Sequence, residues 1–428
     1  MNKKTIVSVA ALSAGLYLNC FAGDIKTDLD SADWKVRKSA VESISKSELE
    51  NKIDLIIRVI NDKRDDIRLA AVKALIEVGG PEIIAPLTEF LKDDKNLVRS
   101  AALGGLIGLG ETAADSIGVA LKDTDSGIRQ SAVQALIKME NSIALKYLDI
   151  SIEDPSESIR ELSMDSAFAV YNSSGGNNEA SAVIKIISRA FDDGKKELRF
   201  KAVKYVAAIG GTDTISALSV AVSHPDPLTR RAIVDVLGKI GGEPVVEPLS
   251  KVLNDKDYDI RLAALESLAR TKTPSALKAL AKAMADKDYR IKKKIVKLLA
   301  VYGDATVVED LGKALDDKSW DIRLSAVYAL GAIGNSNAVD KLCDAMKDRD
   351  KEVQKAAIRM LKVSKSSRSV KKLGEFFVEN KDFRKDIAEA LAETHNKEAL
   401  SYLLEVLPSE KDQTKEAIEK AIEKILSQ

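Results

Sequence analysis

Cysteine and histidine are scarce in this sequence, which has two of each among 428 residues. So few side chains of these types leave little material for a site in which several of them hold a metal ion. Aromatic residues make up only 4% of the chain, which disfavours a protein that stacks nucleic-acid bases on its side chains. We therefore predict no metal, no cofactor and no nucleic-acid partner.

The sequence also has no excess of charge of either sign, since 66 Lys and Arg balance 66 Asp and Glu. A non-specific nucleic-acid binder usually carries a basic excess that displaces counterions, and none is present here. The hydrophobic fraction of 45% excludes an acidic disordered chain. Abundant Ala, Leu, Ile, Lys and Glu with few aromatics instead indicate helices.

The N-terminal segment has the pattern of an export signal. Two lysines are followed by an apolar stretch from Thr5 to Leu18, which is too short to span a bilayer. We predict that residues 1–22 are a signal peptide cut after Ala22, and that the protein is exported to the periplasm or cell envelope. A second interpretation is a lipoprotein with Cys20 as the lipidated residue, although the three residues before Cys20 depart from that pattern. A third interpretation is that the N-terminal segment is not cleaved and stays part of the protein.

The rest of the chain repeats one unit of about 31 residues. One position in an apolar helical pattern, basic in all repeats but one, recurs every 30 or 31 residues, with a single gap of 39 between Arg160 and Arg199. A period in this range is typical of solenoids. The recurring position falls at Arg37, Arg68, Arg99, Arg129, Arg160, Arg199, Arg230, Arg261, Lys292, Arg323, Gln354, Arg384 and Lys415.

Each unit has the pattern of two helices. Around Arg261, apolar residues spaced by three and four predict a first helix over 245–253 and a second over 259–268, with Asp259 as its cap. No segment alternates as a strand would. Glycine pairs that can close second helices stand at 79–80, 210–211 and 241–242.

The repeated motif Asp-x-x-[Ile/Val]-Arg-x-x-Ala-[Val/Leu]-x-x-Leu, found between residues 25 and 428, resembles the HEAT-like repeats of the bacterial lyase-repeat type. The resemblance implies an all-α protein, a right-handed α-solenoid of about thirteen HEAT-like helix pairs. It also implies that the recurring Arg and an Asp six residues before it form a ladder between repeats. The Arg series is then structural and does not bind phosphate. Matching Asp/Arg pairs are 62/68, 93/99, 123/129, 154/160, 193/199, 255/261 and 317/323.

The predicted organisation is a signal peptide at 1–22, N-terminal HEAT-like repeats at 23–170, an insertion loop at 171–180, and C-terminal HEAT-like repeats with a capping helix at 181–428. The insertion is rich in Gly, Ser and Asn and accounts for the single long gap. Its simplest interpretation is a tolerated surface loop. A hinge or a contact loop is the alternative, because insertions in repeat proteins collect on a face that often binds.

Aromatic residues stand three positions before the recurring basic residue in consecutive repeats, at Tyr258, Tyr289 and Trp320. Stacked repeats would align them about 10 Å apart along the turn edge. A local basic cluster at 290–297 lies in the same region. The alternative is that the rings cover neighbouring turns and the lysines are solvated. The predicted partner-binding residues are Tyr258, Tyr289, Trp320, Tyr328, Lys293, Lys297, Leu262 and Leu324.

No catalytic motif is evident. Asp255, Asp257 and Asp259 mimic the spacing of a calcium loop, but Ile260 stands where that loop requires Gly. Cys343 lies in an apolar helical pattern and is predicted to be a buried thiol. We predict a non-catalytic scaffold of the bacterial cell envelope that binds another protein or a peptide. It would contact a membrane only through a lipid on Cys20. The alternative is a lyase-like enzyme or enzyme accessory acting on a protein-bound small molecule.

Overall fold

The computed structural model describes residues 25–175, 179–364 and 366–427. The predicted signal peptide and Cys20 lie outside this part of the chain. Within it, every regular element is a helix, and none of these helices is long and apolar enough to cross a membrane. The chain divides into two compact units, an N-terminal unit that ends at Ile209 and a C-terminal unit that begins at Gly210.

The N-terminal unit begins with a helical turn at residues 25–28. Its α-helices are α1 Trp34–Ile44, α2 Lys52–Ile57, α3 Asp65–Val78, α4 Ile84–Phe90, α5 Asn96–Gly108, α6 Ala114–Val119, α7 Ser126–Leu136, α8 Asn141–Ser151, α9 Glu157–Ser173, α10 Ala180–Ser188 and α11 Lys196–Ile209. Short 3-10 helices cover Pro81–Ile83, Gly110–Ala113, Ala120–Lys122 and Arg189–Asp192. The odd-numbered helices here carry the recurring Arg and are the second helices of their pairs.

The C-terminal unit has the same alternation. Its α-helices are α12 Gly211–Ala221, α13 Pro227–Ile240, α14 Val246–Val252, α15 Tyr258–Thr271, α16 Pro274–Lys282, α17 Tyr289–Tyr302, α18 Val308–Ala314, α19 Trp320–Ile333, α20 Ser336–Ala345, α21 Lys351–Ser364, α22 Ser367–Glu379, α23 Arg384–Thr394, α24 Ala399–Val406 and α25 Asp412–Leu426. The 3-10 helices are Glu243–Val245, Ala283–Ala285, Ala305–Val307, Lys381–Phe383 and Leu407–Ser409. Odd numbers again mark second helices.

Several second helices begin at an aspartate that accepts backbone N–H groups. Asp125 Oδ1 accepts hydrogen bonds from Gly127 N at 2.8 Å and from Ile128 N at 3.1 Å. These two N–H groups lie in the first turn and have no acceptor within the helix itself. In α15 the capping residue is Asp257, not Asp259 as predicted. Because α15 begins at Tyr258, Asp259 already lies in its first turn.

Glycine closes several second helices. Gly241 takes a φ of 67° after α13, and its N–H donates to the carbonyl of Leu237 at 3.0 Å. Only glycine adopts this conformation without steric cost, so the role predicted for the glycine pairs is confirmed. Lys272 closes α15 differently, in the left-handed helical conformation with a φ of 56° and a ψ of 23°.

The buried faces of the helix pairs form the core. In α15 the predicted apolar stripe, including Ile260, Leu265 and Leu268, is buried, and it faces Leu249 and Val252 of α14. Removing each such side chain from water contributes about 1.5–3 kcal/mol. The prediction of an all-α solenoid of helix pairs is confirmed by this architecture, in which thirteen described helices carry the recurring position.

The insertion lies inside the N-terminal unit. Helix α9 extends to Ser173, three residues into the segment predicted as a loop, and α10 begins at its last residue, Ala180. Residues 176–178 lie outside the described residues.

Candidate functional site

The recurring arginine joins adjacent repeats through two kinds of hydrogen bond. Arg129 Nη1 donates to the backbone carbonyl of Asp123, six residues earlier, at 2.9 Å. Its Nε and Nη2 donate to both carboxylate oxygens of Asp154, in the next repeat, at 2.8 and 2.9 Å. Arg129 and Asp154 are both buried, so each charge depends on the other. We call the series of such contacts the ladder.

The ladder aspartates also shape their own turns. Asp123 Oδ1 accepts the N–H of Asp125 at 2.8 Å, while the same carboxylate pairs with Arg99. Burial alone would raise the pKa of the Asp123 carboxyl, but the hydrogen bonds from Arg99 and from Asp125 outweigh it and lower the pKa. The carboxylates in equivalent contacts are Asp62, Asp93, Asp123, Asp154, Asp193, Asp255, Asp286, Asp317 and Asp348. This geometry supports the structural interpretation of the Arg series.

The ladder changes in the C-terminal unit. Lys292 reaches Asp317 at 2.9 Å with a single donor, and a cavity of about 360 Å³ lies beside this pair, with Val296 and Ile322 in its wall. Gln354 keeps the hydrogen bond to the backbone carbonyl of its own repeat but does not reach a carboxylate of the next. In the last interface Arg384 pairs with Glu410.

The predicted aromatic residues at the turn edge are held by the following repeat. The guanidinium of Arg290 lies 4.1 Å from the ring centre of Tyr258. The hydroxyl of Tyr289 donates to Asp321. These contacts favour the interpretation in which the two rings cover neighbouring turns, while Tyr289 stays 42% and Trp320 49% exposed.

Most lysines of the basic cluster are paired. Lys293 Nζ lies 2.8 Å from Asp321 Oδ2, and Lys294 Nζ lies 2.6 Å from Glu266 Oε1. Lys297 is exposed and has no ion-pair partner among the described residues. Of the predicted surface residues, Leu262 and Leu324 are half-buried and Tyr328 is 44% exposed.

Sequence reasoning missed a row of exposed apolar residues beside Lys297 and Tyr328. Val301 is 71% exposed and Val363 is 68% exposed, and Ala332 between them is exposed as well. Each lies nine residues after the recurring position of its repeat, on α17, α19 and α21. We call Val301, Ala332 and Val363 the apolar row.

A second row lies one helical turn earlier on the same three helices, five residues after the recurring position. It consists of Lys297, Tyr328 and Arg359, which we call the polar row. Arg359 is exposed and, like Lys297, has no ion-pair partner in the described part of the chain. Residues four apart lie on the same side of a helix, so the two rows form one surface. We call this surface the two-row face.

Three repeats of the N-terminal unit carry charge where the apolar row stands. Exposed charged residues lie nine positions after the recurring Arg at Lys46, Glu77 and Lys138, whereas Gly108, Ala169 and Ala208 occupy this position in the other three repeats. The stacking of repeats therefore does not require an apolar residue at this position. Comparison of this register across all repeats of the sequence would have singled out Val301 and Val363, the only valines at this position.

A different aromatic cluster lies in the N-terminal unit and was not predicted. The rings of Phe168 and Tyr205 stack with centroids 4.2 Å apart and an interplanar angle of 3°. The Tyr205 hydroxyl donates to Asp165 at 2.8 Å, and the same carboxylate contacts Lys201. The cluster is half-buried and its polar groups are already paired, so it serves to join α9 to α11.

The described residues offer little for catalysis. They contain no group of three or more His, Cys, Asp or Glu side chains placed to hold a metal ion. The thiol of Cys343 is buried as predicted, and burial raises its pKa to about 12, which suppresses the nucleophilic thiolate.

Comparisons with known proteins agree with the repeat architecture. The family model described as HEAT repeats matches residues 27–107, 84–166, 183–269, 217–296, 246–331, 277–362, 308–392 and 339–423. A search of curated protein sequences gave no significant match.

Among solved structures, human deoxyhypusine hydroxylase in complex with glycerol is 20% identical over 60% of this chain and 99% of its own, with a TM-score of 0.27. An engineered protein is 19% identical over 94% of this chain and 98% of its own, with a TM-score of 0.30. A mutant of Kap121p is 13% identical over 100% of this chain and 56% of its own, with a TM-score of 0.35. Similarity at this level carries no information on function. The matches of the family model cover most of the chain, which therefore belongs to the HEAT-repeat family.

Proposed function

We propose that this protein is a non-catalytic scaffold that binds another protein or a peptide on the two-row face of its C-terminal unit. The observation that carries the proposal is the register of Val301, Ala332 and Val363, which expose apolar side chains on three consecutive second helices. Exposed apolar groups in a contiguous patch are typical of interaction sites. Tyr328 and Arg359 beside them are of the residue types that most often anchor interfaces.

The proposed site differs from the site predicted from the sequence. Tyr258 and Tyr289 contact neighbouring repeats of the chain itself, and Lys293 is neutralised by Asp321. Lys297 and Tyr328 remain in the proposed site, and the site extends one repeat further along the chain to Val363.

We also propose that the protein is exported. The positively charged start and the apolar stretch from Thr5 to Leu18 support export to the bacterial cell envelope. Mass spectrometry of the mature protein should find Gly23 as its first residue. A lipid-modified Cys20 would support the lipoprotein form, and an intact N-terminus would contradict export.

Two valines make a matched test of the binding site. Val301 on second helix α17 and Val220 on first helix α12 are both largely exposed, at 71% and 83%. Val301→Asp should therefore reduce co-purification of the partner from envelope fractions at least tenfold, because a carboxylate would be buried against apolar surface. Val220→Asp introduces the same group and should leave co-purification unchanged.

Both variants should keep the helical circular dichroism of the parent, since neither valine is in the core. Equal loss of the partner in both, or no loss in either, would contradict the proposed site.

A further inference from the structure

The two-row face has a charge, a length and a spacing that together define a class of partner. In this face the polar row presents two cations, Lys297 and Arg359, with Tyr328 between them. Neither cation has an ion-pair partner among the described residues. A carboxylate is the group that would neutralise them, and arginine binds it through two parallel hydrogen bonds.

The positive charge is confined to three repeats. The equivalent position of the polar row is Glu266 in the repeat before Lys297 and Glu389 in the repeat after Arg359. Glu266 is already paired with Lys294, so the repeat before Lys297 offers no free cation, and the exposed Glu389 would repel an acidic partner that extended past Arg359. The bound segment therefore spans three repeats, or about 20 Å between the first and third anchor at about 10 Å per repeat.

The spacing of the apolar row selects the conformation of that segment. A polyproline II helix has three residues per turn and rises about 3.1 Å per residue, so residues i, i+3 and i+6 lie on one side about 9.3 Å apart. This matches one apolar residue for each of Val301, Ala332 and Val363. In a β-strand, residues i and i+3 point to opposite faces, which does not match.

An α-helical partner fits less well. At 1.5 Å per residue it would place every seventh residue, two turns on, against each repeat, so the spacing alone does not exclude a helix, but its diameter is about 10–12 Å. The apolar and polar rows lie only one helical turn apart, at about 5–6 Å between Cβ atoms. Two rows this close suit the narrower extended chain.

We infer that the partner segment is an acidic polyproline II stretch of about seven residues with an apolar residue at every third position. The inference rests on the proposed function and names its ligand class. The apolar side chains would pack on the apolar row, while glutamate or aspartate side chains between them would pair with Lys297 and Arg359. An exposed proline-rich segment of this kind is pre-ordered, which lowers the entropy lost on binding.

The test uses the fluorescein-labelled peptide Leu-Glu-Pro-Leu-Glu-Pro-Leu and the full chain, with fluorescence anisotropy as the readout. We expect saturable binding that weakens as salt is raised. A peptide with Lys in place of each Glu should bind at least tenfold more weakly. A glutamate-rich α-helical peptide with leucines seven residues apart should also bind at least tenfold more weakly.

Charge reversal on the protein gives the matched control. Lys297→Glu with Arg359→Glu should reverse the preference between the Glu and Lys peptides. Lys278→Glu with Lys313→Glu changes the same number of charges on exposed lysines of the first helices α16 and α18 and should leave the preference intact.

Two results would overturn the inference. One is equal affinity for the Glu and Lys peptides, and the other is tighter binding of the helical peptide. If Val301→Asp still removes the native partner in either case, the scaffold function stands and only the ligand class fails. If neither the partner nor the peptides respond to changes in the two-row face, both proposals fail.

Discussion

The two units use the same repeat position differently. From Arg37 to Arg160 in the N-terminal unit, each recurring residue is an arginine whose guanidinium holds the carboxylate of the next repeat. In the C-terminal unit Arg230, Arg261 and Arg323 keep this pairing, but Lys292 makes a single contact and Gln354 makes none to the next repeat within the described residues. The altered positions lie on α17 and α21, which also carry the exposed apolar row. The difference teaches that the stacking of repeats constrains the recurring position. The positions of the polar and apolar rows, further along each second helix, are free to vary and can form a binding surface.

The largest effect should come from removing a ladder arginine in the N-terminal unit. Arg129→Ala leaves the buried carboxylate of Asp154 without its cation, which typically costs about 3–5 kcal/mol. Hydrogen exchange measured by mass spectrometry should show the loss of protection in α7 and α9. Arg189→Ala is the control, because its pairs with Asp149 and Glu153 are solvent-exposed and contribute less than about 1 kcal/mol. Equal effects of the two substitutions would show that burial does not set the strength of the ladder.

The second-largest effect should come from acid, which weakens the ladder. The pKa of Asp123 is lower in the folded chain than its ordinary value of about 3.9, so its stabilising contribution is fully present above that value. It is lost as the pH falls through the lower folded pKa. Urea midpoints between pH 6 and pH 2 should therefore decline below about pH 4. In the Arg99→Met variant the decline should be shallower, and an identical decline would contradict the assignment.

A smaller effect should follow from restoring the ladder in the C-terminal unit. In Lys292→Arg the guanidinium can add a hydrogen bond to the backbone carbonyl six residues earlier, as Arg323 does to Asp317 at 2.9 Å. One such bond contributes about 1 kcal/mol, and the larger side chain also fills part of the neighbouring cavity. Amide protection in α17 and α19 should rise.

The reverse change, Arg323→Lys, is the matched control and should lower protection in α19. If Lys292→Arg lowers protection instead, lysine at this position is required for packing.

The sequence was sufficient for the repeat fold because one register recurs with nearly constant spacing. The ladder was expected from the resemblance to HEAT-like repeats, and its carboxylates lie where the Asp/Arg spacing places them. The helix start at Asp257 was missed because Asp257 and Asp259 can each cap a helix, and only the backbone path decides between them. The contacts of Tyr289 with Asp321 could not be predicted from the sequence, since they depend on the exact offset between adjacent repeats.

The candidate site was only partly predictable. Lys297 and Tyr328 were identified from residue type, but Val301 was hidden because apolar residues in a helical pattern are normally core. Its place nine residues after the recurring position, and two after the buried Leu299, distinguishes it. The export of the protein stays a prediction, because residues 1–22 lie outside the described part of the chain.

The central claim is that a partner protein contacts the two-row face of the C-terminal unit. Its most direct test places the photo-crosslinking residue benzoylphenylalanine at position 301 or at position 220 and irradiates living cells. The account predicts a specific crosslinked protein from position 301 that disappears when Val363→Asp is added, and none of that species from position 220. The same crosslink from both positions, or its persistence with Val363→Asp, would contradict the account.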